Sequence, residues 1–121
     1  LSPPLPEAPD PHVLRHLAGV AAVRLVLGAE PSSRTWLVDT DPVHLGLPAP
    51  DARWVRGNEV WAIEYDAGYP KPIVLEKLHG LARLYPKVVW GVPSYARKRY
   101  LEGLIPPSLR DRIRVVLAPW G

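Results

Sequence analysis

PDARWVRGNEVWAIEYD, at positions 50–66, contains two β-prone runs separated by a Gly-Asn dipeptide at 57–58. This dipeptide tolerates the positive φ of a two-residue hairpin turn, and a turn of that length fixes the register of the two strands. The register places Asp51 opposite Glu64. Because side chains alternate between the faces of a strand, Asp51, Glu64 and Asp66 are predicted on one face. Three carboxylates are therefore expected to converge.

Carboxylates that converge in this way require a compensating charge, since opposed Cβ atoms in a sheet lie only about 4.5–5.5 Å apart. Oxygen ligands from two strands suit Mg²⁺ or Mn²⁺, which one or two carboxylates hold together with water and substrate phosphate. We therefore predict Asp51, Glu64 and Asp66 as ligands of Mg²⁺ or Mn²⁺. A solvated acidic edge, or pairing of these carboxylates with the neighbouring Arg53, remains open as the alternative.

Length and composition indicate a single globular domain. The chain has 121 residues, of which 47% are hydrophobic and 22% charged, and it lacks Cys, which excludes disulfides, a thiol nucleophile and a cysteine zinc site. No apolar run has the length of a membrane span and no signal peptide is evident, so we predict no membrane association and a cytoplasmic location. The net charge of +3 permits a polyanionic partner.

The chain divides into two parts. Residues 1–11 are rich in proline and are predicted to form an extended arm or linker, and residues 12–121 a single domain. Position 1 is not Met, and we expect the chain to be the C-terminal part of a longer protein.

Hydrophobic periodicity gives the order of the elements. The first helix carries Val13, Leu17, Val20, Ala21 and Arg24 at helical spacing. A continuous apolar run at 88–92 is typical of a strand buried on both faces and paired in parallel. The predicted elements are a helix at 12–27, a strand at 35–38, the hairpin, a helix at 73–84 that begins near two prolines, a strand at 88–92, a helix at 95–104 capped by Ser94, and a strand at 113–117. This order predicts an α/β fold with a central mixed sheet of about five strands flanked by helices.

The element order and the pattern Pro50-Asp51 followed by Glu64-x-Asp66 resemble the PD-(D/E)XK nuclease superfamily. The resemblance implies a restriction-endonuclease-like core in which Asp51 and Glu64 bind metal. It also implies a lysine two positions after the second acid, to orient water. That position is occupied here by Asp66.

A second resemblance, to the replication-relaxation family, rests on more residues: His16-Leu17, Pro50-Asp51, Glu64-Tyr65-Asp66-Ala67-Gly68, Lys77-Leu78 and Tyr85. It implies a nuclease-like domain in the DNA metabolism of a plasmid, phage or mobile element. An upstream winged-helix domain is the partner that it implies.

Lys77 has a predicted role that depends only on its position. It lies beside the apolar face of its helix, between Ile73 and Leu81, so its stem can cover the core while its ammonium reaches the strand ends. There it would orient water or stabilise developing negative charge. The alternative is a simple ion pair between Lys77 and Asp66.

Two basic clusters are candidate DNA contacts: Arg97, Lys98 and Arg99 on the third predicted helix, and Arg112 and Arg114 near the last strand. A solvated helix face is the alternative for the first cluster. His12 and His16, four residues apart with no acid nearby in sequence, are interpreted as surface or capping residues rather than zinc ligands.

Three functions follow from these features. The first is a DNA endonuclease that depends on Mg²⁺ or Mn²⁺ and hydrolyses phosphodiesters. The second is a non-catalytic DNA-binding or assembly domain with a nuclease-like fold, and the third is a protein-interaction domain.

Overall fold

The computed structural model of the protein describes residues 11–39, 49–66 and 68–119. In these residues the predicted α/β order is confirmed, with bounds that agree to within about two residues. The predicted arm at 1–11 lies outside the described residues except for its last residue. The elements are α1 (Pro11–Leu27), β1 (Trp36–Val38), β2 (Ala52–Arg56), β3 (Glu59–Tyr65), α2 (Lys71–Leu84), β4 (Val88–Val92), α3 (Tyr95–Leu104), a 3-10 turn (Pro107–Leu109) and β5 (Ile113–Leu117).

The five strands form one mixed sheet in the order β1-β2-β3-β4-β5. The first three strands pair antiparallel, whereas β3, β4 and β5 pair in parallel. Parallel neighbours need crossover connections, and α2 and α3 provide them. Every residue of β4 is buried, which confirms the prediction of a parallel strand covered on both faces.

The hairpin has the register that the sequence predicts. Trp54 pairs with Trp61 across β2 and β3, and their rings meet edge to face with centroids 5.6 Å apart. Gly57 takes a φ of +62°, as the first position of a two-residue turn requires, and Asn58 has no positive φ.

Helices cover both faces of the sheet. On one face, Val74 and Leu78 of α2 and Leu101 of α3 pack against strand residues that include Val88 and Trp90. On the other face α1 packs alone, against a layer of buried strand residues: Trp36, Ala52, Ile63, Tyr65, Val89 and Val116. In the described ranges, no helix is long and apolar enough to cross a membrane.

The buried side of α1 differs from the predicted one. Val20 is buried as predicted, but Val13, Leu17 and Ala21 are exposed, and Val23 occupies the core instead. The helix has apolar residues around its whole circumference, so periodicity did not determine which side faces the sheet. That choice depends on Gly19, where an added Cβ would overlap the ring of Tyr65.

Candidate functional site

Glu64 lies at the carboxyl end of β3 and is fully buried. Its Oε1 accepts a hydrogen bond from Lys77 Nζ at 3.1 Å, while its Oε2 has no hydrogen-bond partner among the described residues. Lys77 reaches this position because α2 follows β3 directly and packs over the same face of the sheet. A buried acceptor without a partner is costly, so this oxygen is suited to a ligand.

The pKa of Glu64 is raised from an ordinary value of 4.5 to about 8. Burial is the main cause, and the nearby Asp51 carboxylate is the second. The charge and hydrogen bond of Lys77 act in the opposite direction. A buried carboxyl with a raised pKa beside a second carboxylate is a frequent feature of functional sites.

Asp51 lies immediately before β2, as the hairpin register predicts. Its Oδ2 accepts a hydrogen bond from the backbone N–H of Tyr65 at 2.8 Å, which fixes the carboxylate beside the end of β3. The Nδ1 atom of His16, from α1, lies 3.5 Å from the same oxygen. Asp51 is therefore fixed by the backbone of β3 and lies beside a side chain of α1.

Asp66 belongs to a different arrangement from the other two acids. The guanidinium of Arg97, on α3, contacts both of its carboxylate oxygens at 3.0–3.2 Å. Its Oδ1 also accepts hydrogen bonds from the backbone N–H groups of Gly68 and Tyr69. Asp66 is fully buried and compensated by these five hydrogen bonds, so it fixes the turn after β3. The ion pair of Lys77 is with Glu64 and not with Asp66.

The described residues contain no group of three His, Cys, Asp or Glu side chains placed to hold a metal ion. Of the three carboxylates that were predicted to converge, Asp51 and Glu64 lie close together, whereas Asp66 pairs with Arg97. Two carboxylates still fit Mg²⁺ or Mn²⁺, because these ions often take only one or two from the protein and complete their shell with water and substrate phosphate.

Sequence reasoning missed Tyr69 and the role of His16. The Tyr69 hydroxyl lies 3.3 Å from His16 Nε2, and its ring centroid is 5.1 Å from Lys77 Nζ. Burial and the three nearby acids raise the pKa of Tyr69. The signal for His16 was its place in the family resemblance, and Tyr69 had only its position three residues after Asp66. The side chain of His12 lies outside the described part of the chain.

The predicted DNA-contact residues are in different environments. Arg97 is engaged by Asp66 and the Tyr69 carbonyl, whereas Arg99 is exposed on the same helix. Lys98 lies 4.0 Å from Glu102, one turn away.

At the last strand, Arg112 is likewise engaged within the protein, whereas Arg114 is exposed. The Arg112 guanidinium donates to the Ala82, Tyr85 and Pro86 carbonyls at the end of α2, and it thereby compensates that helix terminus. Arg114 is exposed on β5.

A scan against protein-family models gives no match for this chain, and neither curated proteins nor solved structures give a significant match.

Proposed function

We propose that the domain is a DNA endonuclease that depends on Mg²⁺ or Mn²⁺. The observation that carries this proposal is the Glu64 carboxylate, which is fully buried, bonded through one oxygen to Lys77, and without a hydrogen-bond partner for the other oxygen among the described residues. A carboxylate in a purely structural ion pair gains from satisfying both oxygens. Here Oε2 has no partner among the described residues and is available to a ligand.

Asp51 and Glu64 would hold the metal ion. The Asp51 carboxylate contributes to the raised pKa of Glu64, and a divalent cation would favour the ionised form of Glu64. When bound, such an ion polarises a phosphoryl oxygen and activates water at neutral pH. The backbone N–H of Tyr65 fixes the Asp51 carboxylate in advance, and the imidazole of His16 lies beside it.

Lys77 takes the role that the superfamily gives to a strand lysine. The Lys77 side chain is 28% exposed while that of its partner Glu64 is fully buried, so Lys77 lies between the carboxylate and solvent. In that position it orients the attacking water and stabilises the negative charge that develops on the phosphate. The Tyr69 ring lies beneath the ammonium, with its centroid 5.1 Å from Nζ, and makes a cation–π contact with it.

Arg97 and Asp66 support the site without touching the substrate. Their buried ion pair ties α3 to the turn after β3, and Arg97 also donates to the Tyr69 carbonyl. This places Tyr69 between Lys77 and His16. Asp66 therefore acts as an acceptor outside the metal's own ligands.

DNA is the substrate that the charge of the chain favours. The chain has a formal net charge of +3, and Arg99 and Arg114 are exposed cations available to phosphates. The resemblance to the replication-relaxation family extends the proposal to DNA processing in a plasmid, phage or mobile element, in the cytoplasm and beside a winged-helix domain.

The second candidate is a non-catalytic DNA-binding or assembly domain. It is favoured by Asp66, which occupies the position of the superfamily's lysine and is already compensated by Arg97. This candidate predicts DNA binding that weakens with salt but is unchanged by a chelator or by loss of Glu64.

Mn²⁺ titration followed by electron paramagnetic resonance tests the metal site directly, because bound Mn²⁺ loses the sharp signal of the free ion. We expect Glu64→Gln and Asp51→Asn each to weaken binding at least about tenfold. Glu76→Gln, at an exposed position of α2, is the matched control and should bind as the parent does. Equal binding by all four proteins would contradict the metal site and leave the non-catalytic candidate.

A further inference from the structure

One side of α1 is apolar, and none of the described residues covers it. The side opposite the sheet carries Leu14, Leu17, Ala18, Ala21 and Leu25, which we call the outer face of α1. Leu14 is 49% exposed, Leu17 37% and Leu25 68%, although the same helix buries Val20 and Val23 completely or nearly so on its inner side. A helix that is hydrophobic all round is normally covered on all sides.

The spacing of the outer face matches a helix-binding surface. Its residues follow one another at i, i+3, i+4, i+7 and i+11 along α1, the pattern of anchors that meet a second helix. The small Ala18 and Ala21 lie between the larger leucines. They permit the backbones to approach to the lower part of the usual interaxial range of about 8–10 Å.

A groove continues this surface toward the edge of the sheet. It has a volume of about 300 Å³ and is lined by Leu17 and Ala21 together with Trp36 and Val38 of β1. Val38 is itself 39% exposed. An apolar patch that is joined to a groove is typical of a protein contact surface.

Charge defines the chemistry of the partner. Arg15 and Arg24 flank the outer face, and α1 contains no Asp or Glu. The Arg24 guanidinium donates through Nη1 to the Ala29 carbonyl at 2.9 Å and keeps its charge and its other N–H groups. A second copy of α1 would bring only further arginines, so self-association offers no charge complementarity. A partner with acidic residues beside its apolar stripe would pair with both arginines. Such pairing would make binding more specific and association faster.

We propose that the outer face of α1 docks an amphipathic helix of a partner protein, one whose apolar stripe is flanked by Asp and Glu. The leucines are the anchors, the groove receives one large side chain of the partner, and Arg15 and Arg24 select its charge. This surface is on the face of the sheet opposite α2, and it contains none of the residues proposed to hold the metal ion or to contact DNA.

The probes for this proposal are two synthetic helical peptides of about 18 residues, or about five turns. Both carry the same Leu and Ala stripe, and the stripe is flanked by Glu in one and by Lys in the other. Fluorescence anisotropy with the whole chain should show binding of the Glu peptide, and binding of the Lys peptide should be at least about tenfold weaker. Arg15→Glu should reduce this preference.

Leu17→Asn and Leu25→Asn should each lower the affinity for the Glu peptide about tenfold, because each places an amide in the apolar contact. The matched control is Val26→Asn, also exposed (51%) but to one side of the outer face, and it should change affinity less than about threefold. No binding of the Glu peptide, equal binding of both peptides, or an equal effect of Val26→Asn would overturn the proposal. Sedimentation that shows a dimer broken by Leu25→Asn would also overturn it, by assigning the face to a second copy.

Discussion

The Lys77 ammonium lies 3.1 Å from Oε1 of Glu64, and this contact joins α2 to the carboxyl end of β3. The carboxylate is fully buried, and the lysine keeps part of its surface in solvent. Lys77 lowers the pKa of Glu64 but does not outweigh burial and Asp51, so this pKa remains at about 8. The expected behaviour of the site follows from this balance.

The pH dependence of stability should reveal the raised pKa of Glu64, which moves from 4.5 to about 8. Between these values the folded protein retains the proton and the unfolded chain has released it, so rising pH favours the unfolded chain. We expect the free energy of unfolding to fall relative to that of Glu64→Gln as pH rises from about 5 to about 8, and the difference to level off above that range.

Urea unfolding at a series of pH values measures this difference. Gln has nearly the same shape as Glu and does not titrate, so other ionisable groups contribute almost equally to both curves. Parallel curves for the two proteins would show that Glu64 has an ordinary pKa.

Arg97 should be important for stability, whereas its neighbour Arg99 should not. Arg97→Ala leaves the fully buried Asp66 without its cation, and removal of one partner from a buried pair typically costs about 3–5 kcal/mol. Arg99→Ala, on the exposed side of the same helix, should change the free energy of unfolding by less than about 0.5 kcal/mol. Chemical denaturation measures both, and equal effects would mean that the Asp66 pair is not formed.

Two glycine substitutions in helices should have opposite effects. Gly19→Ala would place a methyl group where it overlaps the ring of Tyr65. We expect this overpacking to lower the free energy of unfolding by at least about 1 kcal/mol. Gly103→Ala meets open space in α3 and should gain about 0.5–1 kcal/mol, since alanine has the higher helix propensity. Thermal unfolding of both variants is sufficient, and a stabilised Gly19→Ala protein would contradict the close packing of α1 on the sheet.

Lys77 should contribute to DNA cleavage beyond its effect on folding. Lys77→Met keeps much of the apolar stem but removes the charge, and loss of one electrostatic contact to the reacting group typically lowers the rate about 10²–10³-fold. Lys71→Met, at the exposed start of the same helix, is the matched control. Equal rates for the two variants in a cleavage assay, at a temperature where both are folded, would remove Lys77 from the mechanism.

Local patterns predicted most of the fold. The turn dipeptide fixed the hairpin register, the apolar run fixed β4 as a buried parallel strand, and Ser94 caps α3 through a hydrogen bond from the Arg97 N–H. The orientation of α1 was not predictable in this way. It depends on contacts at Gly19 and Gly91 with side chains that are distant in sequence.

The candidate site was predicted only in part, for a similar reason. The hairpin register placed Asp51 and Glu64 together, because a two-residue turn leaves no freedom. Lys77 forms an ion pair with Glu64, and Arg97 forms one with Asp66. Which cation meets which acid depends on how α2 and α3 cross the sheet. His16 arrives from the opposite face, and its distance from Asp51 in sequence gave no sign of their contact.

Cleavage of supercoiled and single-stranded DNA with Mg²⁺ or Mn²⁺, compared between the parent chain and Glu64→Ala, tests the central claim most directly. A chelator control and Glu76→Ala, an exposed change on α2, accompany it. We predict cutting that requires the metal, is retained in Glu76→Ala and is lost in Glu64→Ala. Cutting that is unchanged in a Glu64→Ala protein of proven purity, or no cutting by a folded parent chain that binds DNA, would contradict the account.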